Sequence, residues 1–250
     1  KCIKININNQ NINSKIKKKI KTIVHLAAIS TDQMSTNDPA LSYKVNIFGS
    51  MNLLEFAKIK KIKNFIFASS EWVYGSFKNN EIKSIISKID IEKLDSSYAK
   101  TKAIMERIIT SSEKLNYSIL RFGIIYGKKI SNYSAVESIV EQVKNKSVIT
   151  VQSKKTSRSF IHIDDIISAI ICSLKLRGKY ILDVQGPYPV NLEKLIKYTS
   201  NFINKRVKII EKNKKNSSIK LIDSSLSNKI LNFKPKISIE RGISEILKKN

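Results

Sequence analysis

Two side chains four residues apart, in the run Tyr98-Ala-Lys-Thr-Lys102, carry the clearest chemical potential in this sequence. On a helix that spacing points both the same way. An ammonium beside a phenol favours the phenolate, and bringing a tyrosine from about 10 to about 7 takes roughly 4 kcal/mol of preferential stabilisation, which a buried cation could largely supply. Such a phenolate is a general base near neutral pH. The spacing alone is weak, because a chain with 9 Tyr and 40 Lys produces such pairs by chance. Position strengthens it. Ser69-Ser70 closes a short apolar run, Phe65-Ile66-Phe67-Ala68, and a hydroxyl at the carboxyl end of a strand could hydrogen-bond the oxygen that Tyr98 deprotonates.

The elements that must hold these groups read as alternating strands and helices. Ile23 to Ile29 is almost continuously apolar and suits a strand buried on both faces of a parallel sheet. Asp38-Pro39 then starts a helix to about Ile59, with Leu41, Val45, Phe48, Leu53 and Phe56 at helical spacing. After the strand at Phe65 to Ala68 comes a polar passage, 77 to 95. A helix over Tyr98 to Ser112 follows, capped by Ser96 or Ser97, and then a strand from Tyr117 to Phe122. This order predicts an α/β fold. Further helices are expected at 134–144, 164–175, 192–202 and 239–247, with strands at 148–151 and 180–184. The stretch 211–220 reads as a solvated basic loop.

The 250 residues, 42% hydrophobic, supply a core for one large domain or two joined ones. A formal charge of +26 invites a nucleic-acid reading. The excess is spread along the chain, and only 6 of the 46 cations are Arg, beside 44 Ile and 22 Asn. A genome-wide codon bias accounts for that pattern, so no nucleic-acid partner is expected. Cys2 and Cys172 have no partner motif, which excludes a disulfide framework and a zinc site and suggests a reducing, cytoplasmic compartment. The longest apolar stretch, 166–174, is far shorter than the ~20 residues of a membrane span. His25 and His162, each between apolar neighbours, read as structural, and no metal is expected.

Six segments in order resemble the extended short-chain dehydrogenase/reductase family, in its NAD-dependent nucleotide-sugar epimerase and dehydratase branch. They are Val24-His-Leu-Ala-Ala28, Asn46-Ile-Phe-Gly49 with Asn52-Leu-Leu-Glu55, Ser69-Ser-Glu-Trp-Val-Tyr-Gly75, Tyr98 to Lys102, Leu120-Arg-Phe-Gly-Ile-Ile-Tyr-Gly127 and Arg158-Ser-Phe-Ile-His-Ile-Asp-Asp165. The tail, with Leu231-Asn-Phe-Lys-Pro235, is similar too. The resemblance implies Tyr98 as catalytic base, Lys102 as the partner that lowers its pKa and contacts the nicotinamide ribose, and Ser70 as the hydroxyl steadying the sugar oxygen. It places Leu26, Ala27, Ala28, Asn46 and Gly123 at the cofactor, and Ser70, Glu71 and Arg158 at the substrate, with Arg158 on its diphosphate. The bland alternatives are that the serines merely end a strand, Arg158 is a surface charge, Asn46 and the Asp164-Asp165 pair cap backbone groups, and Trp72 and Tyr74 pack.

The implied fold is a Rossmann-like doubly wound parallel sheet with a small C-terminal α/β substrate domain. Residues 1–127 would form a partial NAD-binding domain, with 161–184 returning to it, and 128–160 with 185–250 the substrate-binding domain. The family's Gly-rich turn has no counterpart among the seven glycines. Lys1 to Ile7 resembles the third strand, with Asn6 and Ile7 at the adenine. The first βαβ unit is thus expected to be missing, through truncation or loss, and NAD binding to be weak. Ile124 stands where many relatives carry a substrate-contacting Asn. Trp72 replaces the second acid of the dehydratase pair, leaving Glu71 alone and favouring epimerisation over elimination. The expected cofactor is NAD, with NADP open. The expected partner is a nucleotide-sugar substrate in a homodimer paired through the helices at 38–59 and 98–112. A dehydratase, an NADPH-dependent keto-sugar reductase, a silent scaffold and a basic nucleic-acid-binding protein are the rival readings.

Overall fold

A computed structural model of the chain describes residues 2–9, 12–16, 19–78, 81–128, 134–215 and 217–248. It divides into two compact units: residues 1–76, 87–121 and 173–182 form the first, and 77–86, 122–172 and 183–250 the second.

In chain order the first unit begins with α1 (Ile12–Lys15), β1 (Thr22–His25), α2 (Asp32–Asn37) and α3 (Pro39–Tyr43). A π-helical turn, Lys44–Gly49, leads into α4 (Ser50–Ile59), and β2 (Asn64–Ser70) runs into a 3-10 turn, Glu71–Tyr74. The short β3 (Ile82–Lys83) belongs to the second unit, whereas α5 (Ser97–Thr110) and nearly all of β4 (Asn116–Phe122) belong to the first. The second unit continues with β5 (Ile125–Tyr126), α6 (Ala135–Asn145), β6 (Val148–Val151), β7 (Ser157–Arg158), β8 (Ile161–His162) and nearly all of α7 (Ile163–Ser173). After β9 (Lys179–Val184) come β10 (Val190–Asn191), α8 (Leu192–Phe202), β11 (Lys208–Glu211), β12 (Leu221–Ile222), α9 (Ser225–Leu231) and α10 (Ile239–Lys248).

The four main strands form one sheet in the order β1-β2-β4-β9, with β1 and β2 parallel in the register Thr22↔Asn64 to His25↔Phe67. Helical crossovers between strands give the α/β architecture expected from the alternation. The caps read from sequence are in place. Asp38 accepts the Leu41 N–H at 2.9 Å with Pro39 at the first helical position, and Ser96 accepts the Ala99 N–H at 3.2 Å. Phe56, Phe65, Phe67, Met105, Ile109 and Ile119 bury the first unit's core between α4, α5 and the sheet. The second unit packs α6, α8 and α10 around Tyr126, Val140, Ile149, Leu195 and Ile243.

Several expectations change. The apolar run at 23–29 yields a strand of only four residues, which ends the strand order and leaves Val24 exposed. Apolar content reports that a segment avoids water, not which of its faces is covered. Residues 2–6 do not form the expected third strand, and Ile7 packs instead so tightly on Gly49 that a Cβ there would meet it at 2.8 Å. The helix at 38–59 is helical throughout but passes through the π turn. The Asp165 carboxylate does not cap α7; it accepts the N–H groups of Lys236 and Ile237 at 3.0 to 3.1 Å.

Candidate active site

Ser69 and Ser70 end β2 with both side chains buried, and α5 begins one turn ahead of Lys102. Its 3.6-residue repeat turns Ala99, Ala103 and Met105 inward, which carries Lys102 into the protein with them and leaves Tyr98 half-buried at the helix start. The structure brings the three expected catalytic groups together within the first unit. The hydroxyls of Ser70 and Tyr98 are hydrogen-bonded, and the Lys102 Nζ lies 5.8 Å from the centre of the Tyr98 ring.

The electrostatics differ from the sequence-based expectation. Burial holds the Tyr98 phenol above its ordinary range, and the hydrogen bond with Ser70 offsets this only in part. Lys102 does not set the phenol. Its Nζ donates to the Ala68 carbonyl at 2.7 Å and stands 4.8 Å above the Phe67 ring. Burial also pushes Lys102 itself down to about 8, with Glu106 pulling it back up. The cation meant to favour the phenolate is thus engaged elsewhere and weakened by the same desolvation. At neutral pH Tyr98 is protonated and Lys102 is mostly charged.

A buried network supports the site from below. Arg121 forks onto Glu106, with Nη2 to Oε2 at 2.7 Å and Nε to Oε1 at 3.0 Å, while its Nη1 donates to the Tyr74 hydroxyl at 2.9 Å. Ser69 donates to the same Glu106 carboxylate. Burial opposes the charge on Arg121, but Glu106 outweighs it and raises the guanidinium above its ordinary value. Sequence reading missed this pair, although Glu106 lies four residues beyond Lys102 on the same helix face. Tyr74 is thereby more than packing, while Trp72 packs against Val73, Leu94, Ala99 and Ala103.

Asn46 fastens the loop that follows β1: its Oδ1 accepts the Ile29 N–H at 2.7 Å, and its Nδ2 donates to the Ile29 carbonyl and to Thr101 Oγ1, both at 3.0 Å. These contacts cap the backbone of that loop and tie it to α5. Leu26 and Ala27 are exposed on that loop, Ala28 is half-buried, and Glu71 is buried in the 3-10 turn. Gly123 and Arg158 belong to the second unit. A Cβ on Gly123 would meet Gln185 Oε1 at 2.5 Å and the Ser159 carbonyl at 2.7 Å, so only glycine fits there. Arg158 donates to the carbonyls of Ser157 and Ser218 and to the Ser218 hydroxyl.

His25 is structural, as expected. It lies against Phe65 and Phe67, bonds Ser50 Oγ at 2.7 Å, and is pushed down to about 4 by burial and by the Lys102 charge. In the unfolded chain it titrates near 6.5. The unfolded state therefore takes up a proton that the fold refuses, and stability falls as pH drops from about 6.5 to about 4. The loss is expected to reach about 3 kcal/mol, read as a falling urea midpoint, and a His25→Asn variant should flatten it.

Among the described residues one cluster has metal-ligating types, His162, Asp164 and Glu245. The chemistry is unsuited. His162 Nδ1 accepts the Asp164 N–H at 3.3 Å, which puts the proton of the neutral ring on Nε2, so the nitrogen facing Glu245 at 3.6 Å is a donor and not a ligand. The donor set at Tyr98 suits a nicotinamide dinucleotide better. Two hydroxyls and an ammonium match the hydroxyls of a ribose, and beside Ile7 the buried Asn8 Oδ1 has no hydrogen-bond partner, an acceptor an adenine amine could fill. Cys2 and Cys172 are free, and no helix among the described residues is long and apolar enough to cross a membrane.

Comparison with known proteins agrees with this geometry. The profile of the NAD dependent epimerase/dehydratase family matches residues 1–180. A UDP-glucuronate 4-epimerase from Thermodesulfobacterium geofontis is 27% identical over 231 residues, 90% of this chain and 70% of the relative. A dTDP-D-glucose 4,6-dehydratase from Dictyostelium discoideum is 32% identical over 164 residues, 61% of this chain and 38% of the relative. Among solved structures, a UDP-glucose 4-epimerase from Thermus thermophilus in complex with NAD superimposes with a TM-score of 0.83 at 18% identity, covering 98% of this chain and 84% of that one. The last likeness establishes the Rossmann-type fold.

Proposed function

Because the chain belongs to the NAD-dependent epimerase/dehydratase family, we propose that it epimerises a nucleotide sugar through a transient keto-sugar, with Tyr98 moving the hydroxyl proton. The observation that carries this reading is the contact of the Ser70 and Tyr98 hydroxyls beside a buried Lys102. NAD, when bound, supplies the acceptor for the hydrogen on the carbon that is inverted. Tyr98 takes the proton from the hydroxyl on that carbon and gives it back to the keto oxygen after the sugar has turned. Ser70 holds that oxygen by a hydrogen bond. Lys102 fits the ribose hydroxyls, and its charge favours the phenolate once the site is filled.

The raised phenol is the right form for the return step, where a proton must be donated. The forward step needs the phenolate. An epimerase alternates between the two, so a tyrosine perturbed in both directions suits it. Elimination is less favoured, since Glu71 is followed by Trp72 and not by a second acid. Under this reading residues 1–127 with 161–184 bind NAD, involving Leu26, Ala27, Ala28, Asn46 and Gly123. Residues 128–160 and 185–250 bind the substrate, with Glu71 near the sugar and Arg158 on the diphosphate. Two copies pair along α4 and α5, where an apolar groove of about 710 Å³ is lined by Met51, Leu54, Ile62, Ile108 and Leu115. The free cysteines suit a cytoplasmic setting.

The test is the mass of the product. Incubated with NAD and a nucleotide sugar, the protein is expected to give an isomer of unchanged mass; a product lighter by one water would make it a dehydratase instead.

A further inference from the structure

Positive charge that is spread along the sequence is gathered at one end of the first unit. Its four strands start side by side: Thr22 stands level with Asn64, the Asn116 N–H donates to the Lys63 carbonyl at 2.9 Å, and the Tyr117 N–H donates to the Gly178 carbonyl at 2.9 Å. A cation stands at each start. Lys21 immediately precedes β1, Lys63 precedes β2, Lys114 lies two residues ahead of β4, and Lys179 opens β9. All four are exposed, and among the described residues none of the four is in an ion pair. Lys60 and Lys61 in the loop into β2 and Lys175 in the loop into β9 add to them. Arg177 donates to the carbonyls of Leu174 and Leu176 and keeps its charge. Glu113 is the one acid in these loops. Asp32, Asp38 and Asp95 stand at the opposite end, in segments that follow β1 or lead into α5, with Ser96 donating to Asp32 at 2.5 Å.

Codon bias adds lysine without regard to the ends of a sheet. It accounts for the number of cations and not for their separation from the acids. Two aliphatic side chains share the basic end: Ile59, the last residue of α4, is 53% exposed, and Leu174, the first after α7, is 39% exposed. A nucleic acid would use the cations but has no place for the aliphatics, and these loops contain no aromatic residue to stack on a base. An anionic bilayer takes both, the lysines at its headgroups and the aliphatics at the acyl boundary. We propose that this end of the first unit docks on an anionic lipid bilayer. The seven residues of β2 span about 20 Å, so Tyr98, beside the far end of that strand, is held away from the lipid. The docking is independent of the reaction at Tyr98.

Cosedimentation of the whole protein with lipid vesicles tests it. Wild type is expected to pellet with vesicles of mixed phosphatidylserine and phosphatidylcholine, to stay in solution with phosphatidylcholine alone, and to be released by salt. Each lysine near an anionic surface strengthens binding about fivefold, so a Lys21→Gln, Lys63→Gln, Lys114→Gln variant should bind about 10²-fold more weakly. The control makes the same charge change at exposed lysines of the second unit, Lys212→Gln, Lys214→Gln and Lys215→Gln, and should bind as wild type does. Ile59→Ser with Leu174→Ser should weaken binding severalfold and leave its salt dependence unchanged. Equal loss in both lysine variants overturns the proposal by assigning the binding to net charge alone. Equal pelleting with neutral vesicles, or wild type found in neither pellet, overturns it as well. Tighter binding to duplex RNA than to the vesicles at the same salt, unaffected by the two serine changes, would make the partner a nucleic acid instead.

Discussion

Tyr98→Phe is expected to lower kcat on a nucleotide sugar by about 10²- to 10⁴-fold, the usual contribution of a positioned proton-transfer group, with NAD affinity little changed. The substitution removes one oxygen and keeps the ring, so α5 retains its packing against the β2 end, and Ser70 loses a single hydrogen bond. Ser70, Lys102 and His25 do not replace the group. Ser70 ionises far above neutrality, and the Lys102 amine is turned to the Ala68 carbonyl. His25, the imidazole of the first unit, is buried against Phe65 and Phe67 and held by Ser50. A variant that kept wild-type turnover would remove Tyr98 from the chemistry.

Glu106→Gln should act on both stability and pH dependence. Glu106 and Arg121 are almost fully buried, and neutralising one partner of a buried ion pair costs about 3–5 kcal/mol, read from the urea midpoint. A purely structural role ends there. Glu106 also raises Lys102, which burial has brought to about 8. Without that carboxylate Lys102 loses its proton at lower pH, so the alkaline fall in kcat, expected from about 8 upward, should move toward neutrality. Glu106→Asp, which keeps the charge, should restore the limb at least in part. An unmoved limb in a folded Glu106→Gln protein would confine the residue to holding Arg121 and Ser69.

The grouping of the candidate site residues was legible because its signals are local. Tyr98 and Lys102 share a helix whose cap, Ser96, and apolar spacing are written in consecutive residues, and Ser69-Ser70 closes a run of four apolar side chains. What the sequence could not carry was the partner of each charged atom. That Lys102 donates to Ala68 and not to Tyr98 depends on where β2 ends relative to α5, and it reverses the expected shift of the phenol. The two-residue strands β3, β7, β10 and β12 were equally out of reach, since two residues have no periodicity. The exposure of Val24 was hidden for another reason: which faces of a strand are covered is decided by neighbours in space.

The central claim is that Tyr98 transfers the proton whose loss and return invert one carbon of a nucleotide sugar. It is tested most directly by proton NMR of the sugar after incubation with NAD and either wild type or Tyr98→Phe. Wild type should yield a mixture of two epimers differing at one ring carbon, and Tyr98→Phe should leave the starting sugar unchanged over the same interval. Identical epimer formation by both proteins, or an unaltered sugar with wild type, would contradict it.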